Sequence, residues 1–343
     1  MRSIKLVKLS SNEDIDEIIN SFIDSLYFEL SFHPKPGLVT PISQGRHKDM
    51  DFFMMFESIP LIRKYLNGLM DLCDKSFYLE QESMVKDSMT FHIEDEELMD
   101  YFFSILEEEI ERLIHFGAIV ENQMFSKTKG VNTYKGIIFT YSILFVAMYI
   151  FSEVYEYKLL DNEGNSFNIK RYSYIKTYSY IVQRVGQILT SYKINSADLP
   201  EDTYGAKVYR EYRYRGVLEE AGKGYPIIFD AINFFLRLKE KFSIDSFSYN
   251  THSFEIKKYI FLKLFAFISF NIKDTNILGK KGERVLNEYK DLTEKALNSE
   301  NINSMLKHLE QLNNLCIKED ISSGGAADIF AATFAMLKIF ALL

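Results

Sequence analysis

The chain has 343 residues, is 47% hydrophobic and 26% charged, and carries a formal net charge of −8. This composition belongs to a globular protein and excludes a disordered one. The acidic balance, without a long basic stripe, excludes a dedicated nucleic-acid binder, whose affinity comes from neutralising phosphates. Two cysteines, Cys73 and Cys316, with no CxxC pair fit a reducing compartment and give no zinc signature. The opening MRSIKLVKLSSNEDIDEI lacks an apolar signal core. Two apolar runs invite comparison with a membrane span: 137–151, which is short and carries Thr140, Tyr141 and Ser142, and 326–343, which carries Asp328 and Lys338. Both read as buried helices, and the expectation is a soluble, cytoplasmic protein with neither membrane nor nucleic acid as partner.

In chain order, Ile15, Ile18, Ile19, Phe22, Ile23, Leu26 and Leu30 recur at helical spacing and predict a helix over 12–32 that ends near Glu29. The segment 33–51, HPKPGLVTPISQGRHKDMD, then holds three of the six prolines. Pro34 and Pro36 keep Lys35 on a stiff, non-helical stretch, and Gly37 allows a turn. A second helix is predicted over 48–72 with Pro60 as a kink or break, and a third over 95–118. FSKTKGVNTYKG (125–136) is another polar stretch running into an apolar helix. Residues 152–180 alternate weakly around DNEGN and suggest a short hairpin or surface insertion. Helices resume at 179–192, at 203–226 with Gly216 inside and GKGYP as the stop, at 227–242 and at 253–272. NIKDTN and ILGKKGE follow, then a charged helical pair over 283–316, ISSGGAADIF and a C-terminal helix. The prediction is an all-α fold, one multi-helix domain over 1–343 with 152–180 inserted.

Four polar stretches, 33–51, 127–136, 271–282 and 322–328, each abut a strongly apolar helix. Helix N-termini present free N–H groups and partial positive charge, which suit phosphate oxygens. Ser322-Ser323-Gly324-Gly325 is the clearest instance, though the same residues also make an ordinary glycine-rich cap. His47 and Asp51, four apart, and Lys48 and Asp51, three apart, would share a helical face as an acid–base or metal cluster, or as an internal ion pair. Asp274 and Asn276 suit a hard cation such as Mg²⁺, or a plain turn. Lys35, Lys48, Lys129 and Lys135 are candidate phosphate partners, or solvated lysines. There is no P-loop, GxGxxG, GxSxG or HExxH motif.

PKPGLV, GRHKDMDFF, GVNTYKG, DTN and SSGGAADIFAAT, in this order, resemble the triphosphoribosyl-dephospho-CoA synthase family, as does the run from Gly205 and Tyr209 through Gly216, Glu220, Ala221, Gly224 and Pro226. The resemblance extends from about residue 20 to the C-terminus. It implies an all-α transferase that takes ATP and 3′-dephospho-CoA, joins the ATP ribose to a ribose 2′-hydroxyl of the acceptor and releases adenine. The product is the prosthetic-group precursor of the acyl carrier protein of citrate lyase or malonate decarboxylase. It further implies Asp49, Asp51 or Glu220 as general base and His47 as the group that protonates the leaving adenine or donates a hydrogen bond to it. Mg²⁺ would sit on Asp274 and Asn276 with Asp49, and the triphosphate on Lys35, Lys48, Asn132, Lys135, Ser323, Gly324 and Gly325. A homodimer is one admissible assembly. Relative to the family pattern, Tyr134 and Tyr204 replace histidines, Leu218 replaces an arginine, and the motif after DTN reads Lys280-Lys281-Gly282. The alternatives are a ribosyl transferase of the same fold with another acceptor, and a non-catalytic nucleotide-binding protein.

Overall fold

The computed structural model describes residues 12–84, 95–155, 166–196, 204–244 and 254–343. Among them lie twelve α-helices and no strand beyond a single bridge between Thr40 and Ser43. In chain order they are α1 (Asn12–Ser31), α2 (Phe52–Met84), α3 (Asp95–Lys127), α4 (Lys135–Tyr155), α5 (Ser166–Ser196), α6 (Tyr204–Tyr212), α7 (Val217–Gly222), α8 (Pro226–Lys241), α9 (Phe254–Asn271), α10 (Thr275–Leu297), α11 (Ile302–Lys318) and α12 (Gly324–Ile339).

The main apolar core forms around α4 and α12, two helices buried on nearly every side. Helix α4 packs on α2, α3, α5 and α12, and α12 packs on α1, α8 and α9. Lys135–Val154 is long and apolar enough to cross a membrane by length and composition alone. The shortness expected of this run therefore does not hold; what makes it a core helix is that its side chains are packed inside the protein. A second, smaller cluster joins α6, α9, α10 and α11 through Val208, Leu262, Ile277, Val285, Met305 and Leu309.

Several boundaries depart from the sequence expectation for local reasons. Helix α2 starts at Phe52 because the Met54 N–H donates to Asp51 Oδ1 at 2.8 Å, which caps the helix there. His47, Lys48 and Asp51 therefore do not share a helical face. The helix runs past Pro60 to Met84, carried by the buried stripe Ile59, Ile62, Leu66, Leu69 and Cys73. The helix expected over 203–226 is broken into α6 and α7. Gly216, at φ 59° and ψ −127°, precedes α7, and a Cβ there would lie 2.7 Å from Thr275 Cγ2. The hairpin expected within 152–180 is not formed by its described flanks. Residues 152–155 finish α4 and 166–180 open α5, while the DNEGN turn lies outside the described residues. Tyr174 and Tyr178 are spaced for a helix, and both set their rings edge-on to Phe151 at 5.9 Å.

Candidate functional site

The segment 33–51 is a compact loop whose shape depends on two glycines. Gly37 and Gly45 both have positive φ, and a Cβ on Gly45 would lie 2.4 Å from the Gly37 carbonyl carbon, so here backbone packs on backbone. The Gly37 N–H donates to Asn313 Oδ1 at 3.0 Å, which ties the loop to α11. Arg46 Nε donates to Ser322 Oγ at 3.3 Å, and Arg46 Nη1 lies 3.6 Å from Asp320 Oδ1, which ties it to the start of α12. These anchors turn the His47 side chain inward at 8% exposure, while Asp49 stays out at 61%.

His47 thereby closes a cavity of about 90 Å³ bounded by the loop, the end of α1, the start of α4 and the start of α12. Glu29, Asn132, Thr133, Tyr134 and Asp328 line it with His47. Three buried polar atoms of this lining have no hydrogen-bond partner: His47 Nδ1, Thr133 Oγ1 and Tyr134 Oη. The 3.8 Å separation of His47 Nδ1 from Asp49 Oδ1 is too long for a hydrogen bond. Buried polar groups normally find partners, so three orphans around one cavity mark a place built for a polar ligand.

The electrostatics of the lining are uneven. Glu29 and Lys35 are both buried and paired with each other. Burial lowers the Lys35 pKa and Glu29 opposes that shift. Asp328 has its pKa raised well above the carboxylate range, first by burial and then by the carboxylates of Glu29 and Asp274. Its Oδ2 would be 2.0 Å from a Cβ on residue 136, so Gly136 makes room for the carboxyl against the first turn of α4. The His47 pKa falls to about 4, through burial first and then through Arg46 and Lys280, so the imidazole is neutral at neutral pH. Burial likewise pushes the Tyr134 hydroxyl well up.

Asp274 stands behind this lining and joins two helix starts. Its Oδ1 accepts from Asn276 N at 2.8 Å and Ile277 N at 3.1 Å, capping α10. Its Oδ2 accepts from Ser323 Oγ at 3.0 Å, and the carboxylate also takes the Gly325 N–H at the head of α12. Four donors occupy the roughly four lone-pair sites of a carboxylate. Asp274 and Asn276 therefore do not fit the magnesium site expected of them, and Asp49 stands apart on the exposed loop. Among the described residues no three His, Cys, Asp or Glu side chains are grouped to hold a metal ion.

The other residues singled out in the sequence divide in the same way. Gly324 lines the cavity, whereas Ser323 and Gly325 are engaged with Asp274. Asn132 Oδ1 accepts from Lys135 N at 3.1 Å and caps α4. The Lys135 side chain pairs with Glu121 at 3.0 Å, on the other side of α4 from the cavity. Lys48 is exposed on the loop, and Lys35 is enclosed with Glu29. Glu220, on α7, accepts from the Tyr214 hydroxyl at 3.3 Å and is not part of the lining. Leu218 packs against the main core, and the side chain of Tyr204 lies outside the described residues. Glu29, Thr133 and Asp328 join the lining without having been expected there from the sequence. The available signal for the two acids was a lone carboxylate in each of two mostly apolar helical stretches, FELSF and AADIFAA.

The family model described as CitG: ATP:dephospho-CoA triphosphoribosyl transferase matches residues 15–342. The chain is 28% identical over 334 residues to a probable 2-(5''-triphosphoribosyl)-3'-dephosphocoenzyme-A synthase of Streptococcus equi subsp. zooepidemicus, covering 94% of this chain and 97% of that protein. It is 25% identical over 329 residues to the 2-(5''-triphosphoribosyl)-3'-dephosphocoenzyme-A synthase of Haemophilus ducreyi, covering 94% and 88%. It is 26% identical over 328 residues to Protein CitXG of Leuconostoc mesenteroides subsp. cremoris, covering 94% of this chain but 59% of that longer protein. No solved structure matches it.

Proposed function

This chain belongs to the CitG family of ATP:dephospho-CoA triphosphoribosyl transferases, and from that premise we propose that the cavity behind His47 is where it transfers the triphosphoribosyl group of ATP to 3′-dephospho-CoA. The observation that carries this placement is the set of unpartnered buried groups, Tyr134 Oη, Thr133 Oγ1 and His47 Nδ1, on residues that line one cavity with Asp328 and Glu29.

In the reaction the acceptor's 2′-hydroxyl oxygen bonds to C1′ of the ATP ribose as the bond from C1′ to N9 of adenine breaks, and the electron pair leaves with adenine. The transition state has oxocarbenium character, as in glycoside hydrolysis, where two carboxyl groups divide the acid and base work. Asp328, whose proton burial and the neighbouring carboxylates hold more tightly than an ordinary carboxyl holds its own, gives that proton to the departing adenine. Glu29 stabilises the positive charge at C1′, and an oxygen of its carboxylate takes the proton of the attacking hydroxyl. His47, neutral at its lowered pKa, orients the sugar by hydrogen bonding, and the protonation of adenine falls to Asp328. A cavity of about 90 Å³ is far below the roughly 300–1,000 Å³ of a site that swallows a whole nucleotide-sized ligand. It therefore takes the reacting centre, and the triphosphate lies outside against Arg46, Lys48 and Lys280. Magnesium, in this reading, is carried by the phosphates, and no step depends on it.

The test is mass spectrometry of the purified protein with ATP, Mg²⁺ and 3′-dephospho-CoA. Free adenine and an acceptor heavier by one triphosphoribosyl group are expected, and Asp328→Asn should slow both about 10²- to 10⁴-fold. No adenine from the native protein refutes the transfer, and full activity of Asp328→Asn refutes the assigned acid.

A further inference from the structure

On the opposite face of α4 lies a second cavity, of about 100 Å³, enclosed by α2, α3, α4 and α5. Its walls are apolar, from Leu106, Ile110, Ile138, Val146 and Leu189, and the Tyr65–Ser142 hydroxyl pair sits among them. Its edge is charged. Lys193 lies 4.8 Å over the Phe139 ring, and Lys135 pairs with Glu121 at 3.0 Å, an excess of one positive charge among these three side chains. Burial and the neighbouring Lys135 lower the Lys193 pKa while Glu121 opposes them, so this lysine is held out of full solvent. The chamber thus suits a small, compact apolar group borne next to an anionic one.

We propose that this cavity, which at about 100 Å³ is too small for the whole pantetheine arm, takes the dimethyl-bearing segment of that arm next to the diphosphate, with Lys193 and Lys135 meeting the diphosphate itself. The inference rests on the transfer reaction proposed above. Ile137 lines the reacting cavity and Ile138 lines this one, so the two chambers flank the same turn of α4. A helix is about 10–12 Å across with its side chains, the same order as the ribose and diphosphate that separate the acceptor's 2′-hydroxyl from its arm. One acceptor molecule can then pass over the start of α4 with its hydroxyl on one side and its arm on the other. The Tyr65 and Ser142 oxygens, whose protons are used within the pair and on the Ile138 carbonyl, leave acceptors for the hydroxyl or N–H that this segment of the arm carries. The arm thereby becomes the feature that separates this acceptor from other adenine nucleotides.

Gly117 lines this cavity, and a Cβ built on it would lie 3.5 Å from Tyr65 Oη, an ordinary contact. Gly117→Leu therefore fills the chamber while improving helix propensity within α3, and touches nothing in the reacting cavity. The experiment compares adenine release by native protein and Gly117→Leu with two acceptors, 3′-dephospho-CoA and ADP, which has the same ribose and diphosphate but no arm. The expected result is a KM for dephospho-CoA raised about tenfold or more, toward that for ADP, with the rate on ADP unchanged. Lys193→Ala should shift the same KM in the same direction. An unchanged KM for dephospho-CoA in Gly117→Leu overturns the proposal. Absence of adenine from the native protein with either acceptor instead refutes the transfer reaction, and binding of 4′-phosphopantetheine alone then decides the cavity assignment. Binding by native protein and not by Gly117→Leu supports it; equal binding, or none by either, overturns it.

Discussion

Replacing Asp328 by Asn should make the protein more stable and less active together. The carboxyl is hemmed in by the first turn of α4 at Gly136 and faces Glu29 and Asp274, so its charged form lacks water and meets two like charges. Its folded pKa is raised above the roughly 3.9 of an unfolded Asp. A raised carboxyl pKa means that the folded state binds a proton which the unfolded state has already released. The stability associated with that proton is complete below about pH 3.9 and declines as pH rises toward the folded value. Within that window the loss is about 1.4 kcal/mol for each pH unit. Asn has nearly the same shape and no proton to lose, so the variant escapes this slope. The other titrating groups are common to both proteins and cancel in the difference. Urea unfolding of the two proteins at pH 5, 6 and 7 should show a gap in favour of Asp328→Asn that widens with pH at up to that rate, while adenine release falls. Stability surrendered to keep a reactive group in place is the usual trade at active sites. A gap independent of pH would mean that Asp328 is an ordinary solvated carboxylate, and its role as held proton donor would go with it.

Two further outcomes are expected. Asp274→Ala leaves the Asn276, Ile277 and Gly325 N–H groups and the Ser323 hydroxyl without their acceptor. At about 1–3 kcal/mol for a buried group so abandoned, the loss should exceed about 3 kcal/mol in thermal or urea unfolding and be indifferent to added Mg²⁺. A variant as stable as the native protein would contradict the clamp. His47 should titrate by NMR with a midpoint near 4. Because that value is depressed, the native protein should lose stability relative to His47→Gln as pH falls from about 6.5 to about 4; a midpoint near 6.5 would place the imidazole in water.

Most of the helices were legible because burial imposes a period on sequence. Ile15, Ile18, Ile19, Phe22 and Leu26 announce α1, and the same reasoning finds α8, α9 and α12. What was not legible lay where one side chain or one dihedral decides. Asp51 delays α2 by bonding the Met54 N–H, and Gly216 breaks a run whose composition is helical, because its backbone must pass close to Thr275. The candidate site divides on the same line. The motifs that bound it could be named from spacing, since loops meeting apolar helices stand out. Which side chains face the cavity could not be, because that depends on how α1, α4 and α12 are turned against one another. Lys135 points to Glu121 and Asp274 spends its oxygens on backbone, while Glu29 and Asp328, nearly three hundred residues apart in the chain, meet across the gap.

The Asp274 clamp sets an unusual boundary between the two cores. The head of α12, which forms part of the cavity wall, is fastened to α10, and α10 belongs to the smaller cluster with α6 and α11. Residues such as Met305 and Leu309 never approach the reacting groups, yet the height of that wall follows how well they hold α10. Sequence drift in the smaller core is therefore felt by the chemistry as a shift of one helix start, and its tolerance for substitution is set by the cavity as well as by its own packing.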